Sequence, residues 1–268
     1  MRWKFAKALV ALLVFISRSS AEDSVTLHRL ESPHQSAATE VRVLGPREPE
    51  EGKTYRVIYL LPVEAGRKSR YGDPIEEVKK LGLAEKHRVI FAAPTFAELP
   101  WYADHPTEPT RRQETYFLED VLPLVEKNYP VVAGREGRLL LGFSKSGWGA
   151  WSLLLRRPER FARAAAWDAP LMMDRPGMYG SGPIFGSEEN FARYRLSELV
   201  RASAERLRTE ETPRLLLSGY GSFRGEHERM HKLLGELEIP HTHLDGPQRK
   251  HDWHSGWVAD AVEWLVAE

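Results

Sequence analysis

The sequence predicts an α/β fold, a mainly parallel sheet covered by helices on both faces. Two observations predict it. Apolar runs of strand length alternate along the chain with longer amphipathic segments of helix length, the order expected of a sheet with helical crossovers. The inner runs, such as Tyr55–Leu61 and Leu139–Leu141, are apolar without alternation, as strands buried on both faces are.

Ser24–Leu30 and Thr39–Leu44 alternate apolar and polar residues, the pattern of half-exposed antiparallel strands. Pro33 lies in the linker between them, and Gly45-Pro46 closes the second. Tyr55–Leu61 is a candidate central strand that runs into Pro62-Val63-Glu64-Ala65-Gly66. Asp73 caps a helix expected to reach about Lys86, with Pro74 at its first position. Arg88–Ala93 is the next buried strand, ended by Pro94. After a loop over 95–110, a helix is expected from about Arg111 to Asn128, with Phe117, Val121, Leu124 and Val125 on one face. A strand–turn–helix follows over Leu139–Leu155, then a strand over Phe161–Trp167 stopped by Asp168-Ala169-Pro170. Leu171–Gly186 is rich in Gly, Pro and Met without periodicity and reads as a long loop. The chain closes with a helix over Asn190–Leu207, a strand at Arg214–Ser218, a helix over Gly225–Leu237, a short strand at His241–Leu244 and a last helix from Gly256.

Composition bounds the function. Met1–Ala21 has a basic start (Arg2, Lys4, Lys7), an apolar run from Ala8 to Ile16 and the small-residue exit Ser19-Ser20-Ala21. That is the pattern of a secretory signal peptide, and the apolar run is far short of the ~20 residues a spanning helix needs. Residues 22–268 show no repeat or composition break and are expected to form one domain. The chain has no cysteine and a formal net charge of zero. Thiol catalysis and thiolate metal sites are excluded, no basic field favours nucleic acid, and no membrane contact is expected once the leader is removed. A secreted or periplasmic location is expected.

Gly142-Phe143-Ser144-Lys145-Ser146-Gly147 stands between the strand and the helix. A serine in a glycine-flanked strand-to-helix turn has the layout of a nucleophile elbow. Gly142 and Gly147 let strand and helix approach, and Ser146 is small enough to stand where G-x-S-x-G wants its last glycine. Ser144 would present its hydroxyl, and the Lys145 N–H at the helix start would point at a developing oxyanion. A serine nucleophile needs a base. Of the ten histidines, His251 lies between the last short strand and the final helix, the place of the histidine in chain order Ser–acid–His; His254 is a nearby competitor.

The stretches G-F-S-K-S-G-W-G-A-W, F-G-S-E-E-N-F-A-R-Y and I-P-H-T-H-L-D-G-P-Q-R-K-H-D-W resemble the putative esterase (esterase D-like) family of the α/β-hydrolase superfamily, from about Lys53 onward. This branch includes S-formylglutathione hydrolases, feruloyl and acetyl esterases, enterobactin esterases and mycolyltransferases. By resemblance Ser144 matches the nucleophile and His251 the histidine. Two departures stand out. The family's acid sits in a G-x-x-D-like turn before the penultimate helix, whereas Ser218-Gly219-Tyr220-Gly221-Ser222-Phe223 has no carboxylate. Asp168, directly after the strand that follows the elbow helix, is the expected substitute, since a triad acid is defined by geometry; Glu226 and no acid at all are the alternatives. The family's His-Gly after the third strand is Pro62-Val63 here, so the second oxyanion donor is expected from the backbone of Val63 or Glu64, proline having no N–H.

Trp101, Tyr102 and Trp148 are the aromatics expected to contact substrate, with packing of a long loop the equal alternative for Trp101 and Tyr102. Asp104-His105 and His251-Asp252 lack ligand spacing on a common helix, so no metal is expected, and no cofactor is needed. The function expected is a serine esterase cleaving a small-molecule or carbohydrate-linked ester through an acyl-enzyme; a non-catalytic binding protein of the same fold and an acyltransferase of the mycolyltransferase type are the alternatives. Cleavage of the leader after Ala21 is the first testable consequence: mass spectrometry of the exported protein from its native host should find the N-terminus near Glu22, and an intact Met1 on that form would refute the leader.

Overall fold

The computed structural model describes residues 25–219 and 221–267; the expected leader lies outside them. Elements are numbered in chain order. In β3 (Val57–Leu61), Val57, Tyr59 and Leu61 enter one apolar cluster while Ile58 and Leu60 enter another. β4 (Ile90–Pro94) divides the same way, Ile90 and Ala92 against Phe91 and Ala93. In β5 (Arg138–Phe143), Leu140 opposes Leu139, Leu141 and Phe143. Successive side chains in a strand point to opposite faces, so a strand apolar at every position needs a layer on each side.

One layer holds α1 (Pro74–Lys80), α2 (Leu83–His87) and α10 (Val258–Val266), which supply Ile75, Val78, Leu83, Val258, Val262 and Leu265. The other holds α3 (Gln113–Tyr116), α4 (Leu122–Asn128), α5 (Lys145–Arg156), α8 (Leu196–Arg208) and α9 (Arg224–Glu236). From them Trp151, Leu154, Val200, Leu207 and Leu234 reach the second cluster.

The remaining strands are β1 (Thr26–Leu30), β2 (Thr39–Leu44), β6 (Arg163–Trp167), β7 (Leu215–Ser218) and β8 (Thr242–Leu244). All eight form one sheet in the order β1-β2-β4-β3-β5-β6-β7-β8. β1 and β2 pair antiparallel and β2 joins β4 antiparallel; every pairing from β4 onward is parallel. Among the described residues no helix is long and apolar enough to cross a membrane.

Three expected helices are broken. The one over 73–86 divides into α1 and α2 at Gly82, whose φ of +62° is a left-handed turn, a conformation that glycine adopts without penalty. The helix over 111–128 contains a π-helical turn, Phe117–Val121. Pro123 begins the next turn without an N–H to give to the residue four back, and the ladder widens just before it. The helix over 190–207 separates into α7 (Glu188–Ala192) and α8 at Arg195, which is extended. The expected loop over 171–186 carries a 3-10 turn, Met178–Gly180, and α6 (Gly182–Phe185).

β5 and α5 meet closely at Gly142. A Cβ built there would stand 2.1 Å from the Ser146 carbonyl oxygen and 2.6 Å from the Gly147 nitrogen. Backbone on that side cannot swing away as a side chain can. Gly142→Ala should therefore cost about 1–3 kcal/mol or more, seen as a lowered midpoint of chemical denaturation; an unchanged midpoint would show the turn to be looser than described.

Candidate active site

The parallel strands end at one edge of the sheet, and the site is built there. β5 pairs with β6 through Phe143↔Trp167, and β6 with β7 through Trp167↔Ser218. The residues that follow, Ser144, Asp168 and Gly219, therefore leave three adjacent strands side by side. Ser144 has φ 53° and ψ −126°, a strained conformation for a side chain-bearing residue that persists only where its surroundings enforce it. Its N–H donates to the Trp167 carbonyl at 2.9 Å. Ser146, fully buried, closes the turn by accepting from the Phe143 N–H (2.9 Å) and donating to the Phe143 carbonyl (2.8 Å). A glycine at this position would supply neither bond.

Asp168 is completely buried. Its Oδ2 accepts from the Ser222 N–H (2.9 Å) and its Oδ1 from the Phe223 N–H (2.7 Å). The His251 ring completes the set, with Nδ1 2.5 Å from Oδ2. Burial pushes this carboxyl up, but the hydrogen bonds from His251, Phe223 and Ser222 and the nearby imidazole outweigh it and hold its pKa below the ordinary value, as donors to a charged form do. An ionised Asp168 accepts a hydrogen bond from Nδ1–H, and in that tautomer the Nε2 lone pair of His251 faces outward. Ser144 Oγ is 3.1 Å from that nitrogen.

The imidazole is held by rings as well: Phe143 lies at 4.4 Å between centroids, Phe223 at 5.7 Å and Tyr71, edge-on, at 5.8 Å. Its loop is pinned by the Trp253 N–H on the Tyr71 carbonyl (2.8 Å) and the Trp257 indole N–H on the Asp252 carbonyl (2.8 Å).

Ser144, His251 and Asp168 are thus brought together, and the other two candidates are not. Glu226 accepts from the Met172 N–H at 2.6 Å and pairs with Arg229 at 3.3 Å. His254 points its Nδ1 at Glu77 (2.7 Å) and its Nε2 accepts from the Asp73 N–H (3.2 Å), which makes it an anchor for the start of α1. Lys145 is the first residue of α5, so its N–H has no acceptor within the helix. Pro62, Val63 and Glu64 follow β3 directly, and β3 is paired to β5 through Leu61↔Gly142, which sets them beside the elbow. The Glu64 carboxylate accepts from the Arg70 N–H at 2.7 Å.

Of the two readings of the aromatics, packing is the one seen. Trp101, Tyr102 and Trp148 are all fully buried. Trp101 and Trp148 pack edge to face at 5.5 Å, and the Tyr102 hydroxyl donates to the Pro62 carbonyl at 2.6 Å. Indole and phenol rings bury more apolar area than most side chains, and here that area seals the loop over α5 rather than facing a ligand. Sequence reasoning also missed the role of the turn after β7. A Cβ at Gly221 would stand 2.4 Å from Asp168 Oδ2, and one at Gly219 2.7 Å from the Asp168 nitrogen. Two glycines in a turn without a carboxylate were the available sign that something charged had to fit against its backbone.

Residues 36–212 match the sequence profile described as Putative esterase, and the chain belongs to that family. It is similar to Esterase Rv1288 of Mycobacterium tuberculosis (strain ATCC 25618 / H37Rv), 26% identical over 126 residues, which are 46% of this chain and 27% of the relative. The match thus spans about a quarter of that curated relative's length. Among solved structures, the fold is similar to fluorophosphonate-binding serine hydrolase F of Staphylococcus aureus, with a TM-score of 0.74, 18% identity and coverage of 91% of this chain and 99% of that one. It is also similar to an S-formylglutathione hydrolase from Agrobacterium tumefaciens, with a TM-score of 0.72, 16% identity and coverage of 92% and 96%. The architecture is the α/β-hydrolase fold.

His227 lies beneath the site. It is buried, and its Nε2 accepts from the Ala169 N–H at 2.8 Å. Burial pushes its pKa down to about 4, against the opposing pull of Asp168. A histidine kept neutral in the folded state but protonated near pH 6.5 when unfolded adds stability above that pH and loses it as the pH falls toward 4. The shift from 6.5 to about 4 corresponds to about 3 kcal/mol at 1.36 kcal/mol per unit. Equilibrium denaturation between pH 7 and 4 should show that decline, and His227→Gln should flatten it; an equal decline in the variant would assign it to other groups.

Proposed function

We propose that this protein is a serine esterase whose catalytic residues are Ser144, His251 and Asp168. The observation that carries the reading is the unbroken chain from Ser144 Oγ to His251 Nε2 (3.1 Å) and from His251 Nδ1 to Asp168 Oδ2 (2.5 Å). Membership of the Putative esterase family supports ester hydrolysis in general. The same continuity argues against a protein that binds without catalysis, since nothing in the chain of groups is missing.

The chemistry follows from the positions. His251 Nε2 takes the Ser144 proton as Oγ attacks the ester carbonyl, and the negative oxygen of the tetrahedral intermediate forms near the Lys145 N–H, with a second donor proposed from Val63 or Glu64. Asp168 fixes the tautomer and offsets the charge of the imidazolium. His251 then protonates the leaving alcohol, and water reverses the sequence to free the acid. Because Met1–Ala21 has the charge–apolar–small order of a signal peptide, we also propose that the enzyme works after export.

Hydrolysis of short p-nitrophenyl esters tests the assignment. Ser144→Ala should lose on the order of 10⁴-fold or more in kcat, with the melting temperature nearly unchanged. Asp168→Asn should cost several orders of magnitude by favouring the wrong tautomer, whereas Glu226→Gln should be nearly silent. Wild-type turnover in Ser144→Ala would end the esterase reading; a reversed ranking of the two acid variants would move the triad acid to Glu226.

A further inference from the structure

The edge of the sheet opposite Ser144 carries a charge pattern that ester hydrolysis does not use. Arginines stand where the parallel strands begin: Arg56 directly before β3, Arg135 in the turn before β5, Arg163 as the first residue of β6, and Arg214 directly before β7. These four line one cavity of about 400 Å³ together with Glu136 and Thr212. β6 is five residues long, so Arg163 and Asp168 are separated by roughly 16 Å at ~3.3 Å per residue. The cavity and the serine site are separate places.

Two of the four arginines, Arg135 and Arg214, are paired with carboxylates, Glu136 standing 3.2 Å from Arg135 Nε. Glu210 accepts from Arg135 Nη2 at 2.6 Å and from Arg214 Nη1 at 2.7 Å. Arg56 and Arg163 have no carboxylate within ion-pair distance among the described residues. Arg56 gives Nε to the Glu136 carbonyl (3.1 Å) and Nη1 to the Val266 carbonyl (3.4 Å). Arg163 gives Nη1 to the carbonyls of Trp264 (3.0 Å) and Ala267 (2.5 Å), and its Nη2 reaches Thr212 Oγ1 at 3.4 Å.

The carbonyl contacts have a structural explanation, because cations cap helix C-termini and α10 ends here. That explanation covers position but not charge. A helix end amounts to about half a negative charge, set against two guanidinium groups. Burial lowers the pKa of both, and the Arg163 charge lowers that of Arg56 further, against the weaker opposing pull of the Glu136 carboxylate on each. Among the described residues, four guanidinium groups thus share two carboxylates, Glu136 and Glu210, at a partly desolvated cavity.

We propose that this cavity binds a phosphate group, free or carried on a small molecule, through Arg56 and Arg163 with the Thr212 hydroxyl as a further donor. A phosphate offers several acceptor oxygens and a double charge to two planar forks, the match for which guanidinium is suited. The volume is larger than one ion requires and falls within the range of small-molecule pockets, which favours a phosphate carried on a small molecule.

Isothermal titration of the intact protein with inorganic phosphate, pyrophosphate and glucose 6-phosphate, at ionic strength fixed with sodium chloride, tests the site. Saturable binding of at least one is expected. Tighter binding of glucose 6-phosphate than of inorganic phosphate would identify a carried phosphate, and the opposite order a free ion. Arg56→Gln and Arg163→Gln should each weaken binding by about tenfold or more, while Ser144→Ala should bind as the wild type does. Arg163→Gln also removes donors to the end of α10, so circular dichroism must show it folded; if it is not, Arg56→Gln decides. No saturable binding of any probe, unchanged binding in folded Arg56→Gln, or loss of binding in Ser144→Ala would overturn the proposal.

Discussion

A single buried carboxylate sets the terms for the rest of the site. Asp168 is removed from water, and an isolated charge there would cost several kcal/mol or would neutralise itself by taking a proton. Two backbone N–H groups and one imidazole N–H surround it instead. The donors come from two parts of the chain distant from the acid: the turn after β7 supplies the backbone pair, and the loop after β8 supplies the ring. Satisfying the charge therefore fixes where both segments lie, and with them the imidazole that faces Ser144.

The scaffold delivers these segments by pairing and by ring packing. Parallel register aligns the ends of β5, β6 and β7. Trp167, the last residue of β6, stacks on Trp257 with the ring planes 2° apart and centroids at 5.4 Å. Trp257 in turn contacts Trp253 at 5.0 Å and binds the Asp252 carbonyl through its indole N–H. The residue before the acid and the loop that bears the histidine are thus joined through one apolar cluster. Aromatic pairs of this kind contribute about 0.5–1.5 kcal/mol each beyond their buried area, and the two pairs in series tie the loop to the end of β6.

Most of this arrangement can be read from local pattern. The eight strands follow from apolar runs and the alternation in β1 and β2, because side-chain period is a local property of the backbone. Ser144, His251 and Asp168 are recoverable from their places after strands, and they meet in the structure. What is not legible depends on side-chain direction and backbone detail. Trp101, Tyr102 and Trp148 stand on the loop and helix that adjoin the serine, yet their rings turn inward; position near a site does not say which way a ring faces. Helix breaks at Gly82 and Arg195 turn on single backbone conformations inside otherwise periodic stretches. The π-helical turn before Pro123 had a readable sign in the proline, but amphipathic periodicity masks it.

The location of the acid follows from the same register. Trp167 is paired with Ser218, so the first residues beyond β6 and β7 are Asp168 and Gly219, adjacent across the sheet edge, with the Asp168 N–H donating to the Ser218 carbonyl at 2.8 Å. The carboxylate that starts from the end of β6 reaches His251 Nδ1 at 2.5 Å. The resemblance to esterases leads one to expect it in the turn after β7, and that turn here is spent on holding Asp168. A side chain at Gly219 or Gly221 would occupy the space that Asp168 fills. With Asp168 in that space, the turn stays small at Gly219 and Gly221 and offers the N–H groups of Ser222 and Phe223 to the carboxylate.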